Sequence, residues 1–340
     1  MAKRKRKKSF EGLVVFLLFC ILLTLLFLSA LVAHQMGYLQ ELNLPDLPFL
    51  KQPESSASSE DLPADAPDES LPQVKICYID VGQGDSTLIV APEATVLIDG
   101  GTPAQGSTIY DLLKEENTDR LDYVINTHPH SDHVGGLARG VRSLGSGNVG
   151  KVLVTEYPPE LEPDIQSWPQ FLETAEIMGA DIEPIDAGTV YDLGFGASLT
   201  ILGPTQLHED MNDNSIVCRL DFGEASFLFA GDCGVDALRE LSEQGSALEV
   251  DILKVGHHGS SSSTDSVVLR MTNPKAAIIS CGAENDYGHP HREVTALLEE
   301  RNIPCFRTDL QGDIWLTTDG QTIMARADHG QQDPWTVNAK

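Results

Sequence analysis

An uncharged apolar run, Leu13 to Ala33, sits directly behind a basic block formed by Lys3, Arg4, Lys5, Arg6, Lys7 and Lys8. It constrains the chain more than any other feature, because a helix needs about 20 apolar residues to cross a bilayer. A cleavable signal peptide fits less well: its apolar core is about 7–15 residues long, and "SALVAHQM" offers a poor small-x-small cleavage site. Residues 13–33 are therefore read as an uncleaved transmembrane signal anchor. Cationic flanks of a single span stay inside, so residues 1–12 form a basic cytoplasmic segment. The chain is expected in the cell membrane, single-pass, with everything beyond the span extracytoplasmic.

Residues 34–73 are expected to be a disordered acidic linker. Its core, "KQPESSASSEDLPADAPDESLPQ", holds four Pro, five Ser and six acids with no aromatic residue, a composition that cannot bury enough surface to fold. From Val74 the pattern turns globular, and one domain is expected over 74–328, followed by a tail at 329–340. Short β-branched runs bounded by Gly, Pro or Asp, such as "VKICYID", "TVLID", "LDYVINT", "SIVCRLDF", "ASFLFAG" and "VDILKVG", read as strands. "STIYDLLKEEN", "HVGGLARGVRSL", "SWPQFLETAEIMG" and "REVTALLEERN" have helical spacing. Grouped strands with helices between the groups imply two sheets layered with helices, an α/β architecture.

The chain carries a net charge of −28; residues 1–50 hold six basic and three acidic side chains, which leaves −31 for the rest. Such a charge works against a broad grip on phosphate backbones. Any hold on nucleic acid has to be local. Outside the span lie Cys77, Cys218, Cys233, Cys281 and Cys305. Their number is odd and none has zinc-type C-x-x-C spacing, so they are read as small buried hydrophobes.

Three stretches carry chemistry. In "NTHPHSDHVGG" the residues His128, His130, Asp132 and His133 follow a strand and precede a helix, so several side chains converge from one tight loop. Imidazoles with a carboxylate suit zinc, manganese or iron. In "FLFAGDCG" an apolar strand delivers Asp232 at its tip; a carboxylate lying between two metals can bridge both. In "DILKVGHHGSSSS" another strand ends in His257 and His258. One of these imidazoles completes a metal shell, and the hydroxyls and N–H groups of residues 259–263 can receive an anion.

"LIDGG", "THPHSDHVGG", "AGD" and "HHGS", in this order, resemble the metallo-β-lactamase superfamily, whose fold is a four-layer αββα sandwich. "DVGQGDSTLIV", "NDNSIVCRL", "GHPHREV" and "TDLQGDI" narrow the resemblance to the extracytoplasmic hydrolase domain of ComEC-type DNA-uptake proteins. It covers roughly residues 74–328, and one anchor is expected here in place of the multi-span channel of those proteins. The resemblance implies two divalent ions, Zn or Mn. His128 and His130 would hold one, Asp132, His133 and His257 the second, and Asp232 would bridge them. Asp99 would orient ligands from behind, with Asp80 and Asp85 shaping loops nearby. The superfamily's further histidine has here only His208 as a counterpart, while the ComEC-like pattern matches at Asn214-Ser215. Asp132 and His289 are placed at the reaction itself. Substrate contacts fall to His258, Ser260, Asn214 and His289, the last by binding a phosphoryl oxygen or protonating a leaving group.

Hydrolysis by water that a metal has converted to hydroxide is the expected activity. A phosphodiester is the expected substrate, in the form of single-stranded or short nucleic acid or an envelope phosphodiester. A lactone, thioester or β-lactam on the same site is the alternative within enzymes. A tethered, non-catalytic metal-binding module of a DNA-uptake or surface complex is the alternative outside them. No stable protein partner can be inferred.

Overall fold

In β1 (Val74–Tyr78) the side chains alternate between two apolar layers: Ile76 and Tyr78 face one, Cys77 the other. A period of two with both faces buried means that the strand lies inside a sandwich covered on its outer side. The computed structural model describes residues 66–158, 163, 165–330 and 334–340. The same alternation recurs along β2 (Thr87–Val90), β3 (Thr95–Ile98), β4 (Leu121–Ile125) and β5 (Val149–Val154), and the edge strand β6 (Asp181–Pro184) follows. The chain then crosses to a second sheet made of β7 (Val190–Gly194), β8 (Ala197–Gly203), β9 (Val217–Phe222), β10 (Ala225–Phe229), β11 (Ile252–Lys254), β12 (Ala276–Ile279) and β13 (Cys305–Arg307). It returns to the first through β14 (Ile314–Thr318), β15 (Thr322–Ala327) and β16 (Trp335–Asn338).

The sheet orders are β16-β15-β14-β1-β2-β3-β4-β5-β6 and β13-β12-β11-β10-β9-β8-β7. Ile76, Val96, Phe227, Phe229 and Ile278 belong to the apolar layer between them. The helices Gly106–Glu115, Leu137–Ser143 and Ser167–Met178 cover the outside of the first sheet through Ile109, Val141 and Phe171. The helices Val235–Glu243, Val268–Thr272 and Arg292–Glu300 cover the second through Leu238, Leu269 and Leu298. This is the αββα sandwich that the resemblance implied. Each fully buried aliphatic or Phe side chain contributes roughly 1.5–3 kcal/mol relative to exposure, so three such layers explain why the strands read as nearly continuous apolar runs.

Several elements were not anticipated. β6 and β7 are short and largely exposed, and so lack the apolar runs that mark the others. β16 pairs with β15, which adds a strand inside the stretch 329–340 that was expected to be a tail. At the other end the backbone N–H of Asp68 donates to Asp319 Oδ2 at 2.9 Å, so the last linker residues are already tied to the domain. The basic segment 1–12, the expected span 13–33 and linker residues 34–65 lie outside the described residues. Among the described residues, no helix is long and apolar enough to cross a membrane.

Three strand ends place the chemistry. The parallel pair β10 and β11, in register at Phe229 and Lys254, releases Ala230-Gly231-Asp232 and Val255-Gly256-His257-His258 side by side. A bond from His257 N–H to the Gly231 carbonyl, 3.1 Å, ties the two exits together. The exit of β4 joins them across the sandwich, because Ile216 N–H donates to the Thr127 carbonyl at 2.8 Å. A crevice beyond the carboxyl ends of strands is where open α/β sheets hold ligands.

Candidate metal centre

Asp232 stands at the centre. Its backbone N–H donates to Ser215 Oγ at 3.0 Å, and its carbonyl accepts from Ser263 Oγ at 3.1 Å, so the side chain is fixed from both sides. Gly231 precedes it with φ of 51°, and a Cβ there would lie 2.9 Å from both Ser215 Cβ and Thr127 Cβ. Only glycine lets the two exit loops close this far. The Oδ2 of Asp232 then faces four imidazole Nε2 atoms: His133 at 3.3 Å, His257 at 3.6 Å, His258 at 3.7 Å and His128 at 3.8 Å.

Each imidazole is held from behind. Asp99 Oδ2 lies 2.8 Å from His133 Nδ1, and its carboxylate also accepts from Asn126 Nδ2, Thr127 N–H and Thr127 Oγ1. Carboxylate–histidine pairs of this kind set tautomer and ring orientation at metal sites. His258 Nδ1 lies 3.1 Å from the Ser280 carbonyl and 3.3 Å from Asp85 Oδ1, while its Nε2 is 3.2 Å from Asp132 Oδ2. Asp85 is in turn paired at 2.8 Å with Nζ of the buried Lys254. His128 Nδ1 sits near Thr127 Oγ1 and Ser215 Oγ, and its Nε2 is 2.9 Å from His130 Nδ1. Asp99, His257 and His258 all have positive φ (57°, 50° and 54°), a left-handed backbone that costs roughly 1–2 kcal/mol per non-glycine residue. Strain concentrated on three site residues marks a geometry imposed by the surrounding fold.

The charges point to a cation. Burial opposes ionisation of Asp232, yet His133 and His258 outweigh it and drive the carboxyl well below its ordinary range. Burial likewise opposes a charge on His133 and His258, but Asp232 with Asp99 pushes the first well up, and Asp232 with Asp85 pushes the second to about 10. Protons are thus drawn to the point between these rings and carboxylates. His128, by contrast, is held well below the imidazole range by burial and then by His133. A divalent cation competes for the same point, since metal ligands must shed their protons.

Asp85, His133, Asp232 and His258 each offer one ligand atom, and these atoms lie within 4.8 Å of one another. Asp232 Oδ1, His133 Nε2 and His258 Nε2 are buried and lack a well-aligned hydrogen bond, although the two imidazoles lie 3.3 and 3.2 Å from carboxylate oxygens. A buried polar atom left without a bond costs roughly 1–3 kcal/mol, and a metal ion held between these atoms would satisfy them together. Nitrogen and oxygen donors without sulfur fit zinc, manganese or iron.

The cluster floors a cleft of about 280 Å³, walled by His130, Asp132, Asn212, His257, Tyr287 and His289. No lysine or arginine is among the described residues that line it. The sequence profile of the Metallo-beta-lactamase superfamily matches residues 79–283, a span that holds all of these ligands. The chain belongs to the metallo-β-lactamase superfamily. Within it, the chain is 32% identical over 259 residues to ComE operon protein 3 of Bacillus subtilis, covering 71% of this chain and 32% of that one. It is 30% identical over 249 residues to Competence protein ComA of Neisseria gonorrhoeae, covering 72% and 32%. The chain thus spans about a third of the length of these relatives. Among solved structures it is similar to the metallo-beta-lactamase fold protein YhfI of Bacillus subtilis, with 13% identity, a TM-score of 0.49 and coverage of 72% and 99%.

His128, His130, Asp132, His133, Asp232 and His257, the residues expected to bind metal, are brought together with Asp99 behind them. Three other expectations, for His258, Asn214 and Ser260, need correction, and the open place of His208 is settled. His258, expected at the substrate, is 1% exposed and lies in the cluster, between Asp85 and Asp132. Asn214, expected at the substrate, is buried and spends its amide on the backbone of its own loop, at His208 and Asp210. Asn212, two residues earlier, lines the cleft instead. Ser260 is buried and bonds Ser262. His208 turns to Glu240, 3.8 Å away on the helix Val235–Glu243, so it does not supply the superfamily's further histidine; Ser215 fills the space beside His128.

Asp85 reaches the cluster itself, whereas Asp80 is exposed and caps the turn at Gly82. His289 lies at the cleft wall, with Nδ1 3.5 Å from Gln83 Nε2. Burial, then His258 and His257, lower it to about 4. Near neutral pH the ring is therefore neutral and carries one N–H to donate. Lys254, Gln83 and Tyr287 escaped the sequence reading. Only Lys254 carried a signal, as a lone cation inside the apolar strand "DILKV".

Proposed function

We propose that this chain is an extracytoplasmic phosphodiesterase that uses two divalent ions, Zn or Mn, and is anchored by residues 13–33 in the cell membrane. The observation that carries the reading is the position of Asp232, one carboxylate oxygen facing four imidazoles at the floor of a small polar cleft. A bound divalent cation would lower the pKa of water from 15.7 to about 7 and neutralise developing negative charge.

The chain's own residues do the rest. Asp99 and Asp85 fix His133 and His258, so that their lone pairs face the cluster. His128, held neutral, keeps its lone pair free of a proton. His289, with Nδ1 turned to Gln83, presents Nε2–H to an anionic oxygen in the cleft. Asn212 adds an amide to the same wall. The competence proteins to which the chain is similar support nucleic acid as the diester, and its charge of −28 favours single strands or short oligonucleotides over long duplex. Among the described residues of the cleft wall the one aliphatic side chain is Ile165, which gives an acyl substrate little to bind.

The test is hydrolysis of bis-p-nitrophenyl phosphate and single-stranded DNA by the purified chain with manganese or zinc. Activity is expected, and it is expected to disappear in Asp132→Ala. Turnover of lactones alone would replace the reading with acyl hydrolysis. Bound metal with no turnover on any substrate would replace it with a binding module.

A further inference from the structure

Tyr287 is 67% exposed at the mouth of the cleft, one of the largest exposed apolar surfaces among the described residues. Its ring lies almost parallel to that of His289, at 17° with centroids 5.6 Å apart. One face is thus taken and the other is open to whatever enters. The ring is held in place by its loop. The Asn285 carboxamide accepts from Tyr287 N–H and His289 N–H, and donates to the carbonyls of Gly282 and His289. Gln83 adds a bond from Gly282 N–H to its Oε1. A single side chain therefore sets the platform and the wall histidine together.

An aromatic ring presented this way needs no further ordering when a flat partner arrives, and preorganisation lowers the cost of binding. The cleft also has no lysine or arginine among its described lining residues, so no basic side chain there adds to the hold of the cluster and His289 on a phosphate. Stacking is a further source of grip. Bases stack on aromatic side chains whatever their identity, but a duplex keeps its bases inside, whereas a single strand or a nucleotide end exposes them. We propose that Tyr287 is the platform on which a nucleobase of the substrate stacks, next to the phosphodiester at the cluster, and that it makes the site selective for unpaired nucleic acid. The proposal rests on the phosphodiesterase reading and names its substrate class.

The test uses the full chain loaded with manganese and two ligands that carry no diester to cleave, thymidine 5′-monophosphate and 2-deoxyribose 5-phosphate. Calorimetric titration is expected to show the nucleotide binding about 5- to 150-fold tighter, the range that stacking of one base supplies. Tyr287→Leu is expected to bring the two to near parity, and Tyr287→Phe to keep the preference. Tyr287 is exposed, so neither substitution opens the core. Equal or undetectable binding of both ligands to the wild type overturns the proposal, as does a preference that survives Tyr287→Leu. Loss of sugar-phosphate affinity in Tyr287→Leu, with no base preference in the wild type, also overturns it and assigns the ring to the sugar. Hydrolysis of diesters without base preference refutes only the platform. Base preference without any diester hydrolysis refutes only the reading on which it rests.

Discussion

Lys254 tests most directly how the site is built. Its side chain is 3% exposed and that of Asp85 7%; Nζ and Oδ2 lie 2.8 Å apart. Burial works against the Asp85 charge, yet Lys254 and then His258 hold the carboxyl down at about 2. Its stabilising contribution is therefore present above the ordinary carboxylate range and is lost only as pH falls toward 2. Lys254→Met keeps the aliphatic stem and deletes the charge, which leaves a carboxylate buried without its cation. Breaking a buried pair from one side costs about 3–5 kcal/mol, a large part of the roughly 5–15 kcal/mol that holds a domain. At about 2–4 °C per kcal/mol for a domain near this size, Tm should fall by about 6–20 °C. Removing both partners, as in Lys254→Met with Asp85→Leu, should recover most of this, since apolar replacement of a buried pair is often close to neutral. The double variant should still bind metal about 10–100-fold more weakly, because His258 has lost the carboxylate behind it. Denaturation at pH 7 reads the first effect and metal titration the second. A Lys254→Met chain within 1 kcal/mol of wild type would refute the reasoning, because it would mean that Asp85 finds solvent or that His258 alone balances it.

Asp99→Asn should leave the fold intact but weaken metal binding about 10–100-fold. The amide turns a donor toward His133 Nδ1 and so shifts the ring proton to the Nε2 that faces Asp232; equilibrium dialysis with metal analysis checks this. Phe227→Ala, between the sheets, should cost about 3–5 kcal/mol in urea unfolding while metal stoichiometry stays unchanged. Burial, with Asp328 and Asp80 nearby, raises the Asp313 carboxyl, so the folded chain keeps this proton to higher pH than the unfolded chain. Stability from this group is then lost as pH rises through the carboxylate range, and Asp313→Asn should flatten that part of the pH–stability curve.

Most of the site was legible because its residues are types that a core does not otherwise tolerate. Histidines and aspartates at the ends of apolar strands have few other uses, and their spacing survives as a local pattern. The fold was legible for a related reason: strands buried on both faces, such as "AAII" in β12, leave unbroken apolar runs. Legibility failed where tertiary geometry chooses between neighbours. His257 and His258 are adjacent in sequence, and only their left-handed backbones decide which ring turns inward. Asn212 and Asn214 lie on one short 3₁₀ turn, and its rotation buries one and opens the other. The pairing of Lys254 with Asp85 spans 169 positions, a distance that no local pattern carries. β6 and β7 were missed because edge strands facing solvent have no apolar run to betray them.

The absence of lysine and arginine from the described lining of the cleft also bears on how the chain would handle a polymer. Proteins that track phosphate backbones release condensed counterions on binding, and their affinity falls steeply with salt. A site held by a metal cluster and a ring releases few counterions, so its KM for oligonucleotides should change little between 50 and 200 mM salt, a range over which a backbone-gripping protein loses about 10³–10⁵ in affinity. On the proposed phosphodiesterase reading, no basic side chain of the described lining would then keep a strand in place after a cut. Degradation should be distributive, with each molecule shortened once per encounter and product lengths spreading gradually through the whole population.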